Sequence, residues 1–143
     1  MPPEHVLVPL DGSPLAEEAL EEALSTFDAR ITVLNVVTPL DDHMSEGGVV
    51  EPGDDRLEAA RERAERLAEH AVERASAMDR TIETVVDTDD PADAILDFVE
   101  AHDVDHVVMG SHGEERNAFV RRLLGTVATK VVGEAPVTVT VVR

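Results

Sequence analysis

His5-Val6-Leu7-Val8-Pro9-Leu10 is a short apolar run, Asp11-Gly12-Ser13-Pro14 breaks it, and Arg30-Ile31-Thr32-Val33-Leu34-Asn35-Val36-Val37 follows after one helical pattern. The first run reads as a buried strand. Ser13 before Pro14 reads as an N-cap and first helical position, with Glu17 and Glu18 favouring the positive end of the helix dipole. Apolar residues then recur at Ala16, Ala19, Leu20, Ala23, Leu24 and Phe27, which is helical spacing. Arg30–Val37 is rich in β-branched residues and predicts a second strand. A strand, a helix and a strand within so few residues suit a parallel crossover unit.

The rest of the chain repeats that alternation. Thr38–Asp55 contains Pro39, Gly47, Gly48, Pro52 and Gly53 and predicts a long loop. From Arg56 to Met78 the residues Leu57, Ala60, Ala64, Leu67, Ala68, Ala71, Ala75 and Met78 line one helix face, opposite a face of Glu and Arg. Thr81–Val86 predicts the third strand, and Asp90-Pro91 opens a helix that buries Ile95, Leu96 and Val99. His106–Met109 predicts the fourth strand and runs into Gly110-Ser111-His112-Gly113. Thr126–Glu134 predicts a last helix, stopped by Ala135-Pro136, and Val137–Val142 the fifth strand. Near-continuous apolar strands alternating with helices predict one α/β domain over residues 1–143, an open five-stranded parallel sheet with helices on both faces.

Composition narrows the function classes. The chain has 143 residues, no Cys and no Trp or Tyr, so Cys-based metal fingers and Cys nucleophiles are excluded. No apolar run approaches the roughly 20 residues of a membrane helix, and MPPEHVLVPL lacks a basic signal-peptide start, which points to a soluble cytoplasmic protein. With 12 basic and 31 acidic side chains the net charge is −19, which disfavours nucleic-acid backbones and anionic membranes as partners. Only Lys130 is lysine, and Val (22) and Ala (17) dominate the apolar set. Acid-rich, lysine-poor usage of this kind resembles the proteome of a salt-loving organism. At about 1 M salt the Debye length is about 3 Å, so self-repulsion is largely screened.

In an open α/β sheet, ligands sit outside the carboxyl ends of the strands, where strand order reverses. Two loops there are unusual: Pro9-Leu10-Asp11-Gly12-Ser13 and Gly110-Ser111-His112-Gly113. Paired glycines allow backbone N–H groups close to a ligand, and Gly125-Thr126 starts a helix whose amino end suits phosphate. The same glycines equally suit a tight strand-to-helix connection with no ligand. Asp41, Asp42 and His43 could ligate a metal but read more simply as a solvated acidic loop; His5, His70, His102 and His106 lack metal spacing. Met44 and Met78 read as gap fillers or core. There is no Gly-x-Ser-x-Gly elbow, Walker A lysine motif or Gly-x-Gly-x-x-Gly after a strand.

VPLDGS near the start, MGSHG, the downstream LLGTVATKVV and the closing APVTVTVVR together resemble the universal stress protein family, from His5 to Arg143. The resemblance implies a Rossmann-like sheet, similar to that of adenine nucleotide α-hydrolases, with strand order 3-2-1-4-5 and both loops facing one crevice. It implies a small stress-response protein that binds ATP or another adenine nucleotide; the charge of −19 predicts that Mg²⁺ or Mn²⁺ accompanies such a polyanion, and the sequence offers no obvious catalytic base, so at most slow hydrolysis is expected. Carried over, Gly110 and Gly113 would wrap ribose and phosphates, and Gly125 and Thr126 would bind phosphates. Pro9, Leu10 and Asp11 match the first-strand loop, Val36 the residue whose backbone contacts adenine, and Met109, His112 and Val127 further nucleotide contacts. Two departures stand out. Eleven residues, Glu114 to Leu124, separate Gly113 from Gly125 where the family motif has nine, and Glu114 and Glu115 bring acid near the phosphates, with Arg116, Arg121 and Arg122 as candidate compensation. The competing reading is a nucleotide-free member acting as a dimeric interaction module. In either case the resemblance implies a homodimer through Val137–Val142, an uncharged edge strand, and the composition suggests a halophilic archaeon as source.

Overall fold

The computed structural model describes residues 2–38, 54–111 and 125–143. The described elements run β1 (His5–Pro9), α1 (Pro14–Thr26), β2 (Arg30–Val37), α2 (Asp54–Ala77), β3 (Glu83–Thr88), α3 (Pro91–Ala101), β4 (His106–Gly110), α4 (Thr126–Glu134) and β5 (Thr138–Val142). All strand pairs are parallel, and the sheet order is β3-β2-β1-β4-β5, as the family resemblance implies. β1 and β2 pair over five positions, His5↔Arg30 to Pro9↔Leu34, whereas β1 and β4 pair only at Val6↔His106 and Leu7↔Val107. Order therefore reverses beside β1, and its pairing with β4 covers only the amino-terminal half of both strands.

The pleat sends alternate side chains to opposite faces, and a separate core forms on each. Val6, Val8, Ile31, Val33 and Val108 meet α1 and α2 on one side. Leu7, Leu34, Val107 and Met109 meet α3 and α4 on the other. The Ser13 side chain accepts the Ala16 N–H at 3.3 Å and caps α1, while the Asp90 carboxylate accepts the Asp93 N–H at 3.1 Å and caps α3. α2 buries Ala64, Ala68, Ala71 and Ala75, and these small side chains bring the helix close to β2 and β3.

Several details differ from the sequence reading, among them the start of α2 at Asp54, inside the predicted loop Thr38–Asp55. β3 begins at Glu83 rather than Thr81, and its register with β2 runs from Thr32↔Glu83 to Val37↔Thr88. Met78 is exposed, since α2 ends at Ala77 and the chain turns through Asp79 at φ 60°. Leu96 is half-buried rather than core.

Candidate functional site

The carboxyl end of β4 meets the start of α4, and the carboxyl end of β1 is joined to that of β2. Leu10 is locked there: its N–H donates to the Leu34 carbonyl at 2.9 Å, and its own carbonyl accepts from Asn35 Nδ2 at 2.8 Å. The chain then turns through Gly12 at φ 88°, a left-handed conformation suited to glycine. Asp11 Oδ1 accepts the Ser13 N–H at 2.9 Å, so one carboxylate oxygen holds this turn.

β4 ends on Ser111. Its N–H donates to the Val142 carbonyl at 2.8 Å, and its carbonyl accepts the Gly125 N–H at 2.7 Å. One residue thus joins β4, β5 and the start of α4. Gly125 is the N-cap of α4 and supplies no side-chain cap, so it leaves the first-turn amides of that helix without one. Among the described residues, neither the fully buried Ser111 hydroxyl nor the buried Asn35 Oδ1 has a hydrogen-bond partner. Buried polar atoms without partners are uncommon and costly.

The pleat sorts the residues singled out in the sequence. Val36, Met109 and Val127 belong to one apolar cluster on the α3/α4 side, and alternation along the strands puts Pro9 and Ser111 on that side too. Leu10 belongs to the opposite cluster. Gly110 also faces that way: a Cβ there would lie 2.9 Å from Leu15 Cβ in the first turn of α1. This glycine therefore has a packing reason of its own. Thr126 is exposed. His112 and Gly113 lie outside the described residues, as do Asp41, Asp42, His43, Met44, Glu114, Glu115, Arg116, Arg121 and Arg122. Among the described residues no group of three His, Asp or Glu side chains could hold a metal ion. An open groove of about 610 Å³ runs along the outside of α4, lined by Thr126, Thr129, Lys130, Gly133 and Glu134, and shares only Thr126 with these candidates.

Ser111 and Asn35 were not singled out in the sequence. Each sits beside a residue that was, Gly110 and Val36, and nothing local in either stretch marks a side chain that will be buried without a partner.

The model of the universal stress protein family matches residues 3–143. The chain belongs to that family. No curated protein matches the sequence. Among solved structures, this family member is similar to universal stress protein UspA from Lactobacillus plantarum, at 24% identity over 100% of this chain and 99% of that one, with a TM-score of 0.73. It is similar to a universal stress protein in complex with cAMP, at 23% identity over 100% and 99% of the two chains, TM-score 0.69. It is also similar to a universal stress protein family protein from Arabidopsis thaliana with AMP bound, at 21% identity over 98% and 91%, TM-score 0.67. These likenesses establish the fold. No helix among the described residues is long and apolar enough to cross a membrane.

Proposed function

We propose that this family member binds an adenine nucleotide, ATP in the first instance, in the crevice between the carboxyl ends of β1 and β4. The observation that carries this reading is Ser111, whose fully buried hydroxyl has no partner among the described residues and whose carbonyl accepts from the uncapped start of α4. A hydroxyl donor beside an uncapped helix amino end suits phosphate oxygens, and neither adds formal charge. The two similar structures holding cAMP and AMP favour the same ligand class. In this reading Gly125, Thr126 and Val127 face the phosphates, Met109 and Pro9 flank the ribose, Val36 meets the base, and Gly110, Leu10 and Asp11 shape the crevice through backbone. His112 and Gly113 would complete it from the loop beyond Ser111.

A polyanion approaching a chain of charge −19 needs help. Mg²⁺ or Mn²⁺ would arrive with the phosphates, because the described residues offer no metal cluster, and molar salt would screen the repulsion. The same acidic, lysine-poor composition supports a salt-rich cytoplasm as the working environment. In this reading any hydrolysis is slow at most.

A second reading, a nucleotide-free dimeric module, is favoured by two observations. Gly110 is explained by its contact with α1 without any ligand, and β5 presents the uncharged edge TVTVV for a second copy.

Calorimetry with ATP, with and without Mg²⁺, at low and multimolar KCl, separates the two. Binding is expected with Mg²⁺ in high salt, and Thr126→Glu should weaken it at least about tenfold by setting a carboxylate at the start of α4, where it favours the helix itself. Wild-type protein that binds no adenine nucleotide under any of these conditions decides for the second reading.

A further inference from the structure

Proline has no N–H to give to a neighbouring strand, so within sheets it is confined largely to edge strands, strand starts and bulges. Pro9 breaks that rule: it is the last residue of β1, the central strand of five, with β2 on one side and β4 on the other. Its two sides differ. Towards β2 the ladder runs on to Pro9↔Leu34, and the Leu10 N–H extends it by donating to the Leu34 carbonyl at 2.9 Å. Towards β4 the ladder stops at Leu7↔Val107. Neither strand ends there, because β4 stays paired with β5 as far as Gly110↔Val142. Val8 and Pro9 of β1, and Val108, Met109 and Gly110 of β4, are thus held on their outer sides but not to each other.

Backbone direction explains the one-sided stop. Successive residues of a strand turn their N–H and C=O groups to alternate neighbours. On β1 the Glu4 carbonyl accepts the Arg30 N–H and Leu10 donates to Leu34, so even-numbered residues address β2. Odd-numbered residues address β4, as the His5 carbonyl does in accepting the Asp105 N–H at 3.0 Å. The nitrogen of Pro9 therefore faces β4. On β4 the Ser111 N–H goes to Val142 of β5, so Val107 and Met109 also address β5, while His106, Val108 and Gly110 address β1. Continued past Leu7↔Val107, the register sets the carbonyl of buried Val108 opposite the Pro9 nitrogen, which has nothing to donate to it. Any other residue at position 9 would supply the N–H that carries the ladder on.

We propose that Pro9 is a positioning residue of the crevice, an assignment that rests on the nucleotide reading for the identity of the ligand. By withholding a donor from Val108 it stops the β1–β4 ladder and keeps the seam between the central strands open at their carboxyl ends, where the nucleotide would sit. Exposure changes at the same level. Val6, Leu7 and Val8 are fully buried, as are Val107 and Val108, whereas Pro9 and Gly110 at the ends of the two strands are half-buried. A residue without a donor in a central strand is a local departure from sheet rules, and such departures are expected at functional sites.

Pro9→Ala supplies the missing N–H. Amide hydrogen exchange of the intact variant chain at fixed high salt reads the ladder, and calorimetry with ATP and Mg²⁺ under the same conditions reads the site. Stability is a poorer readout, since removing a proline also frees the unfolded chain. The new amide at position 9 is expected to exchange about tenfold more slowly than an unprotected one, and ATP affinity to fall about tenfold, the upper end of what one backbone hydrogen bond contributes. An amide at position 9 that exchanges freely overturns the proposal, whatever happens to affinity, because a lost contact of the proline ring would then be the whole effect. A protected amide with wild-type affinity overturns it as well, since a closed ladder would then leave the site untouched. Wild-type protein that binds no adenine nucleotide refutes the reading of the site instead, and exchange at position 9 still decides whether Pro9 is what stops the ladder.

Discussion

A Cβ added to Gly110 would lie 2.9 Å from Leu15 Cβ, 3.0 Å from the Leu15 carbonyl carbon and 3.1 Å from the Ala16 amide nitrogen. Unbonded carbon atoms sit comfortably at about 3.5–4.0 Å. Two of the three atoms are backbone in the first turn of α1, which cannot swing aside as a flexible side chain would. That turn is also anchored, by the Ser13 cap and by the buried Ala16, Ala19 and Leu20. Gly110→Ala must therefore displace either the start of α1 or the end of β4, and overpacking of this kind costs about 1–3 kcal/mol. Gly133 in α4 is the control, because a Cβ there meets nothing within 4 Å. Gly133→Ala should stabilise the chain by up to about 1 kcal/mol through helix propensity. Urea unfolding at fixed high salt reads both. With a slope of about 1–3 kcal/mol per molar urea, the Gly110→Ala midpoint should fall by on the order of 1 M while the Gly133→Ala midpoint holds or rises. A Gly110→Ala protein that unfolds at the wild-type midpoint would refute the packing argument. The result also bears on ligand tests: Ser111 follows directly and carries the contact to Gly125, so lost nucleotide binding in a Gly110 variant would not identify a cradle, whereas Thr126→Glu leaves this packing untouched.

Three further outcomes are expected. Ser13→Ala should cost about 1 kcal/mol by removing the acceptor for the Ala16 N–H, and Ser13→Gly only a few tenths, so equal costs would count against the cap. Burial holds the His106 imidazole below the usual 6.5, with Asp105 opposing. The unfolded chain then binds that proton more readily, so this contribution is full above about pH 6.5 and lost as pH falls through it; His106→Gln should flatten the acid limb of a stability profile, and an unchanged limb would contradict the assignment. Val139→Lys on the β5 edge should weaken a dimer formed through that strand, and sedimentation showing an intact dimer in about 2 M salt would remove β5 from the interface.

Much of the scaffold is legible in single stretches. The Ser13-Pro14 and Asp90-Pro91 pairs mark two helix starts, and both prove to be capped there. The alanine spacing from Ala64 to Ala75 marks the buried face of α2. Boundaries that depend on a neighbour are less legible. Thr81 and Ile82 look as strand-like as Val85 and Val86, yet pairing with β2 begins only at Thr32↔Glu83, two residues after β2 itself starts. Met78 fits the apolar stripe and is exposed only because the helix stops one residue earlier.

The sequence by itself determined the alternation of strands and helices, the acidic surface and the two loops at which a ligand would be sought. These follow from side-chain periodicity, capping and formal charge, which are properties of short stretches. Tertiary structure decided what the individual residues in those loops are for. Gly110 lacks a side chain because α1 occupies the space, a fact set by a helix about a hundred residues away in sequence. The Ser111 hydroxyl is buried with no partner among the described residues, at the point where its backbone joins β4 to β5 and the start of α4. His5 meets Thr32, and Thr32 meets Glu83, only because parallel pairing aligns three strands from distant parts of the chain. Hydrogen-bond demand and steric exclusion depend on which atoms are within about 3–4 Å, and chain order alone does not specify those neighbours.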